Sequence, residues 1–182
     1  MNTTYTPTDL DRLGKDSYQK GKYQEAANFF IAASEGFQAE QNRLSAAEMA
    51  NNASVAYLKA GDYPAALEAV QGTDEVFEAA GDTRRRAMAI GNHAAALESL
   101  NRIDEAIQMY EQADNLFKKI GEHDLRAPIL QALSTLQFKS GRSFEGLANL
   151  NAGFEEGGKS NLRRRFLKAI TDLPIKFLTK TK

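Results

Sequence analysis

Residues that tolerate a left-handed backbone recur along this chain at a spacing of twenty. Counting from Gly21 gives Gln41, Gly61, Gly81, Asn101, Gly121, Gly141 and Asn161, so five of the eight positions are glycine and two are asparagine. The whole chain of 182 residues holds only 13 glycines, so their concentration at one spacing needs a physical cause. Glycine has no Cβ to clash at positive φ, and asparagine visits that region more readily than most residues. Both therefore close helices at the C-terminal cap. The stretches between them, such as AAALESL (94–100) and EAIQMYEQADNLFKKI (105–120), have helical periodicity, and none alternates as a strand does. The spacing predicts a row of helical hairpins.

A deeper period of forty runs through the same residues. Tyr23, Tyr63 and Ile103 repeat at that interval, followed by Ala26, Ala66 and Ala106. Further columns are Phe30, Val70, Tyr110 and Leu150, then Phe37, Phe77 and Phe117. Small residues in one column let paired helices approach, and aromatic columns fill the space between successive hairpins. A fixed period of this length is the mark of a solenoid. LGKDSYQKGKYQEAANFFIAA (13–33) resembles the tetratricopeptide repeat through Leu13, Gly14, Gly21, Tyr23, Ala26, Phe30 and Ala33. Residues 51–70 and 91–113 are similar, and 131–153 are a degenerate fourth copy. The forty-residue length resembles the long repeats of kinesin light chains and Leu-Gly-Asn repeat scaffolds.

The resemblance implies an all-α fold, an α-α superhelix of four hairpins over about 8–41, 42–81, 82–121 and 122–158. A basic capping helix and tail are expected over 159–182. At the start, Thr6, Pro7 and Asp9 have capping-box spacing. In the fourth hairpin Gly146 replaces the alanine of the other repeats, and Gly153, Gly157 and Gly158 follow. Since each interior glycine costs a helix about 1 kcal/mol relative to alanine, this helix is expected to fray or end early.

Composition bounds the function. Hydrophobic residues make up 42% and charged residues 26%, the balance of a globular chain rather than a disordered one. No apolar run is long enough to span a bilayer, MNTTYTPTDLDR lacks the pattern of a secretory signal, and the expected location is the cytoplasm. The absence of cysteine excludes disulfides, thiolate catalysis and cysteine metal sites. Net charge is −1, yet residues 159–182 carry eight basic residues against Asp172, a local +7 that leaves −8 on the rest.

No catalytic residue, metal site or cofactor is expected. GFEEGGKS (153–160) satisfies the spelling of a phosphate-binding loop, with Lys159 and Ser160 in the key places. Such a loop works at the end of a buried strand, and here a helical stretch precedes it while Glu155 and Glu156 would repel phosphate. It reads as an ordinary loop. His93 falls in a column facing the hairpin interior and His123 follows a turn glycine, too far apart in the pattern to share a ligand.

What remains is binding of a protein or peptide. By the resemblance, first helices line a concave groove that here includes Lys15, Asn51, Asn52, Leu58, Lys59, Asn92, Gln131 and Phe138. Asn52 and Asn92 are equivalent at forty residues. Their amides either clamp a peptide backbone, donating and accepting at once, or bond a neighbouring helix. A chaperone-tail clamp is not expected, because Asp11 and Met88 stand where it would need basic residues. Arg84, Arg85, Arg86, Arg126, Arg163, Arg164 and Arg165 fall near the starts of first helices, where positive charge opposes the helix dipole. They either pair with acids such as Glu75, Glu78, Glu155 and Glu156 on preceding helices or form a basic edge for an acidic partner or membrane surface. The alternative function is accordingly that of a structural adaptor or self-associating protein that docks through its basic C-terminal segment. Nucleic acid is not an expected partner, since the chain lacks an interleaved aromatic and basic face.

Overall fold

A computed structural model of the chain describes residues 5–156; the expected capping helix and tail over 159–182 lie outside the described residues. Every spacing position from Gly21 to Gly141 has positive φ, from 59° at Gln41 and Asn101 to 83° at Gly61. Gln41, whose residue type suits the pattern least, adopts it too. At these turns the next residue donates its N–H back across the helix end, as in Lys22 to the Ser17 carbonyl at 2.9 Å and Asn42 to Phe37 at 2.8 Å. This is the Schellman closure of a helix C-terminus. The same residue then opens the following helix. The side-chain oxygens of Asn42, Asp62 and Asp82 accept the N–H groups of Ser45, Ala65 and Arg85 at 3.2, 3.3 and 2.8 Å. One short segment thus stops one helix, reverses the chain and caps the next.

The described residues form nine helices and no strand. They are α1 (Pro7–Gln19), α2 (Tyr23–Ala39), α3 (Arg43–Ala60), α4 (Tyr63–Val70), α5 (Thr73–Ala79), α6 (Thr83–Ser99), α7 (Ile103–Ile120), α8 (His123–Lys139) and α9 (Ser143–Glu156). Thr6 caps α1 with its hydroxyl on the Asp9 N–H at 3.1 Å, while Asp9 accepts the Thr6 N–H at 3.3 Å, completing the expected capping box. The chain divides into two compact units, Met1–Gly121 and Glu122–Lys182. In the first, α3 packs against α2, α4, α5 and α6, so each hairpin rests on the next.

Packing follows the columns. Ala26, Ala66 and Ala106 are wholly buried, and Phe30, Val70, Phe77, Tyr110 and Phe117 fill the spaces they leave. At Gly14 a Cβ would lie 2.7 Å from the Phe30 ring, so α1 meets α2 closely only because this side chain is missing. In the second unit α8 and α9 form one hairpin. The expected fraying at Gly146 and Gly153 does not occur up to Glu156. Both glycines are buried, and a Cβ at either would press on the Phe138 ring at 3.2 Å or on Leu130 at 3.3 Å, so close packing holds the helix through them.

The helix that does break lies elsewhere. Between α4 and α5 Gln71 turns to an extended ψ of 130° and Gly72 to a φ of 73°. The Thr73 hydroxyl covers the freed Val70 carbonyl at 2.7 Å. The twenty-residue rule gave no warning of this break, because it adds no residue to the count.

If the left-handed turns govern helix ends, Gln41→Gly raises unfolding stability by up to about 1 kcal/mol and Gly61→Ala lowers it by about 1–2 kcal/mol. A Cβ at Gly61 meets nothing within 4 Å, so that loss isolates the backbone term. Urea unfolding midpoints check both, and a neutral Gly61→Ala would refute the reading.

Candidate functional site

In the first unit the first helices α1, α3 and α6 carry Lys15, Asn51, Asn52, Leu58, Lys59 and Asn92. Asn51 does not line an open surface. It is 7% exposed and accepts a hydrogen bond from Asn92 Nδ2 at 3.0 Å. Asn92 therefore bonds a neighbouring helix through Asn51. The rotation of α3 explains this: consecutive positions lie about 100° apart on a helix, and it is Asn51 that faces α6.

One repeat earlier the equivalent pair is Asp11 and Asn52, and no such rung forms. Asp11 Oδ2 accepts from Lys15 Nζ at 2.6 Å, while its Oδ1 is buried without a partner. The half-buried Asn52 amide makes no hydrogen bond among the described residues. It opens on a cavity of about 300 Å³ shared with Lys15, Tyr18, Gln19, Phe30 and Val55. The floor is apolar and the rim carries an ammonium, two amides and a phenol. Tyr18 is braced edge-to-face against Tyr23, with ring centroids 5.2 Å apart. Leu58 is half-buried and Lys59 exposed farther along α3. Gln131 and Phe138 are exposed on α8 of the second unit.

The arginine positions are largely engaged. Arg85 donates to Asp82 at 2.6 Å and to Glu48 at 3.0 Å, and its guanidinium lies 5.3 Å from the Phe77 ring centre. The Arg85 N–H and guanidinium together hold the Asp82 carboxyl below its ordinary value. Arg86 pairs with Glu78 at 2.5 Å, and Arg126 shares the Glu156 carboxylate with His123. Arg84 lies along the Met88 sulfur at 3.7 Å. Acids of neighbouring elements thus offset the charge that would otherwise oppose the helix dipoles. Of the edge expected at Arg84, Arg85, Arg86 and Arg126, the last three pair with acids, and Arg163, Arg164 and Arg165 lie outside the described residues.

The phosphate-loop spelling begins inside a helix: Gly153–Glu156 belong to α9, with Lys159 and Ser160 outside the described residues. That corrects the reading of the segment as a loop, and a helical start is equally unable to cradle phosphate with free amides. His93 is half-buried and has no metal-ligating cluster around it among the described residues. Burial is the largest influence on its imidazole and holds it below its ordinary value, against the pull of Asp74 and Glu105. The buried Tyr110 hydroxyl donates to Glu98 at 2.9 Å, and burial beside that carboxylate pushes its pKa up. No described helix is long and apolar enough to cross a membrane.

The described residues form an all-helical repeat array, which defines the architecture of a helical-repeat protein. The chain belongs to the soluble NSF attachment protein, or SNAP, family, whose model matches residues 17–169. No curated protein matches the sequence. Among solved structures it is similar to the apo form of RapI, with a TM-score of 0.81 and 16% identity over 96% of this chain and 63% of that one. It is also similar to BtubC (BKLC) from P. vanneervenii, with a TM-score of 0.74 and 15% identity over 92% and 65%. A third likeness is to the Rap conjugation gene regulator of plasmid pLS20 in complex with the Phr* peptide, at 0.69 and 15% over 82% and 42%. The chain spans less than two thirds of each of these proteins, and at such identities the likeness is one of fold.

Two outcomes follow from the geometry. Removing either member of the Asn51–Asn92 pair costs about 1 kcal/mol, and the double alanine variant loses less than the sum, because the shared bond is lost once. A double-mutant cycle in urea measures that coupling. For His93 the unfolded chain takes up its proton first as pH falls through 6.5, since the folded value is lower. The stability present above that pH is therefore lost progressively as pH falls through the folded value. His93→Gln is expected to remove this acid-side loss when unfolding is compared between about pH 7 and about pH 5.

Proposed function

We propose that this protein is a non-catalytic interaction module that receives a peptide or partner segment across the first helices of its first unit. In this reading the repeats are of the long tetratricopeptide kind, and the groove runs over α1, α3 and α6. The observation that carries the proposal is Asn52. Its amide has no internal partner, whereas the equivalent Asn92 is bonded. It sits at the rim of an apolar-floored cavity beside Lys15, placed to accept and donate to a passing backbone while Phe30 and Val55 receive a side chain. Membership of a family of attachment proteins supports this, as does the peptide complex of the pLS20 Rap neighbour. Exposed Lys59, farther along α3, offers a positive charge to an acidic segment that runs on from the cavity, and Leu58 offers an apolar contact beside it.

A displayed library of random peptides, selected on the intact protein and then tested individually, checks the reading. Asn52→Ala is expected to weaken selected peptides by about 1–2 kcal/mol, or ~5- to 30-fold in Kd, through the lost pair of amide bonds. Its unfolding midpoint should be unchanged, because the amide has no internal bond to lose. Val55→Asp should abolish binding. Peptides that bind both variants as tightly as the parent would move the site elsewhere.

A further inference from the structure

The break between α4 and α5 opens a groove that an unbroken second helix does not leave. α2 and α7 run on for 17 and 18 residues, whereas α4 stops at Val70 and α5 starts at Thr73. α4 packs mainly on α3 and α5 mainly on α6. Between α5 and the start of α3 lies a cavity of about 530 Å³. A second, of about 190 Å³, shares Arg43, Gly72 and Val76 with it and reaches α2 at Gln38. The two make one groove in the first unit, and it has no residue in common with the cavity at Asn52.

Leu44 and Val76 give the groove an apolar floor, each half-buried against the core cluster of Ala47, Phe77 and Ala89. The exposed amides of Gln38 and Gln71 line it without a side-chain hydrogen bond among the described residues. Charge selects the occupant. Arg43 is the first residue of α3, is exposed, and has no hydrogen bond or ion pair among the described residues. A guanidinium there opposes the helix dipole. Near the start of α6, Arg85 and Arg86 have Asp82, Glu48 and Glu78 to offset that opposition, whereas Arg43 has no acid of its own. The missing group is an anion beside an apolar floor. An open trough lined by amides suits a length of chain, since small-molecule sites bury most of their ligand. We propose that this groove is a second docking site, for a partner segment that sets one carboxylate side chain on Arg43 and an apolar side chain on Leu44 and Val76. Glu75 lines the same groove without an ion pair and repels a second acid, so the segment carries a lone acid rather than an acidic run. With no residue shared between this groove and the Asn52 cavity, the first unit has room for two segments at once.

The test selects a displayed library of random peptides on the full chain and depletes it on Arg43→Glu, which discards binders at any other surface. Survivors are expected to carry one Asp or Glu at a fixed spacing from a Leu, Ile, Val or Phe, and to lack a second acid. Measured singly by fluorescence anisotropy, they should bind Arg43→Gln about 10- to 100-fold more weakly, through loss of a charged hydrogen bond. The urea midpoint of Arg43→Gln should be no lower than the parent's, because the guanidinium has no internal partner to lose. Ala79→Asp, at an exposed position in the groove, should also weaken them, and Glu75→Gln should tighten them. Replacing the acid of a survivor by Lys should switch its preference from the parent to Arg43→Glu. A library that leaves no survivors, or survivors without an acid, overturns the proposal. Affinity that Arg43→Gln leaves intact overturns it too, and loss of that affinity in Asn52→Ala would assign those peptides to the other cavity. A dimer in analytical ultracentrifugation that Arg43→Glu splits would show a second copy in the groove, which likewise overturns it.

Discussion

A backbone forced into the left-handed region at every twentieth residue governs the rest of this molecule, because it sets where each helix stops and in which direction the next one starts. Once the turns are placed, helix length follows, and with it the rise that brings residues forty apart into equivalent surroundings. Only then can an alanine at one point serve the same purpose as an alanine a full repeat later. Gln41 shows the strength of the constraint. Its side chain has no particular liking for positive φ, yet it holds a φ of 59° because the helices on either side are committed by their own packing.

The regular columns carry the stability and the irregular positions carry the individuality. Wholly buried alanines let the helices of a hairpin close on one another, and the neighbouring Phe, Val and Tyr side chains fill the gaps, so core density is built from a few residue types used repeatedly. Departures have local causes. Gly146 is accommodated because Phe138 leans into the space its Cβ would occupy, and Gly14 does the same for Phe30. The break at Gln71 and Gly72 is stabilised by the Thr73 hydroxyl and leaves the repeat count unchanged. Arg85 binds Asp82 at its own helix start, Glu48 on α3 and the face of Phe77, knitting successive elements together through one side chain.

The proposed binding site arises from a failure of the repeat to repeat. The Asn92–Asn51 rung joins two amides between α6 and α3. One period earlier an aspartate replaces the asparagine, and its carboxylate takes Lys15 instead. Asn52 is left over at the mouth of a cavity floored by Phe30 and Val55. The asparagine pair was visible in the sequence, and so was its equivalence at forty residues. What was not visible is which of Asn51 and Asn52 turns inward. Likewise the arginines and acids such as Glu78 and Glu156 could be located along the chain, but not the bond of Arg85 to Glu48, which joins residues 37 apart in the sequence.

Features that depend on the pattern along the chain were determined by the sequence alone: the left-handed turns at glycine and asparagine, the cap at Thr6, the helical state between them and the alanine and aromatic columns. Each rests on backbone sterics or on a periodicity that the order of residues contains in full. Only the tertiary structure decided that Asn51 is buried and Asn52 open, that α9 continues through two glycines and that the second hairpin breaks at Gly72. Those outcomes turn on the rotation of one helix against another, on a phenyl ring that fills or leaves a gap, and on which of several reachable acids an arginine meets. A rotation of one residue, about 100°, exchanges a buried amide for an exposed one, and no local pattern records so small an angle between elements.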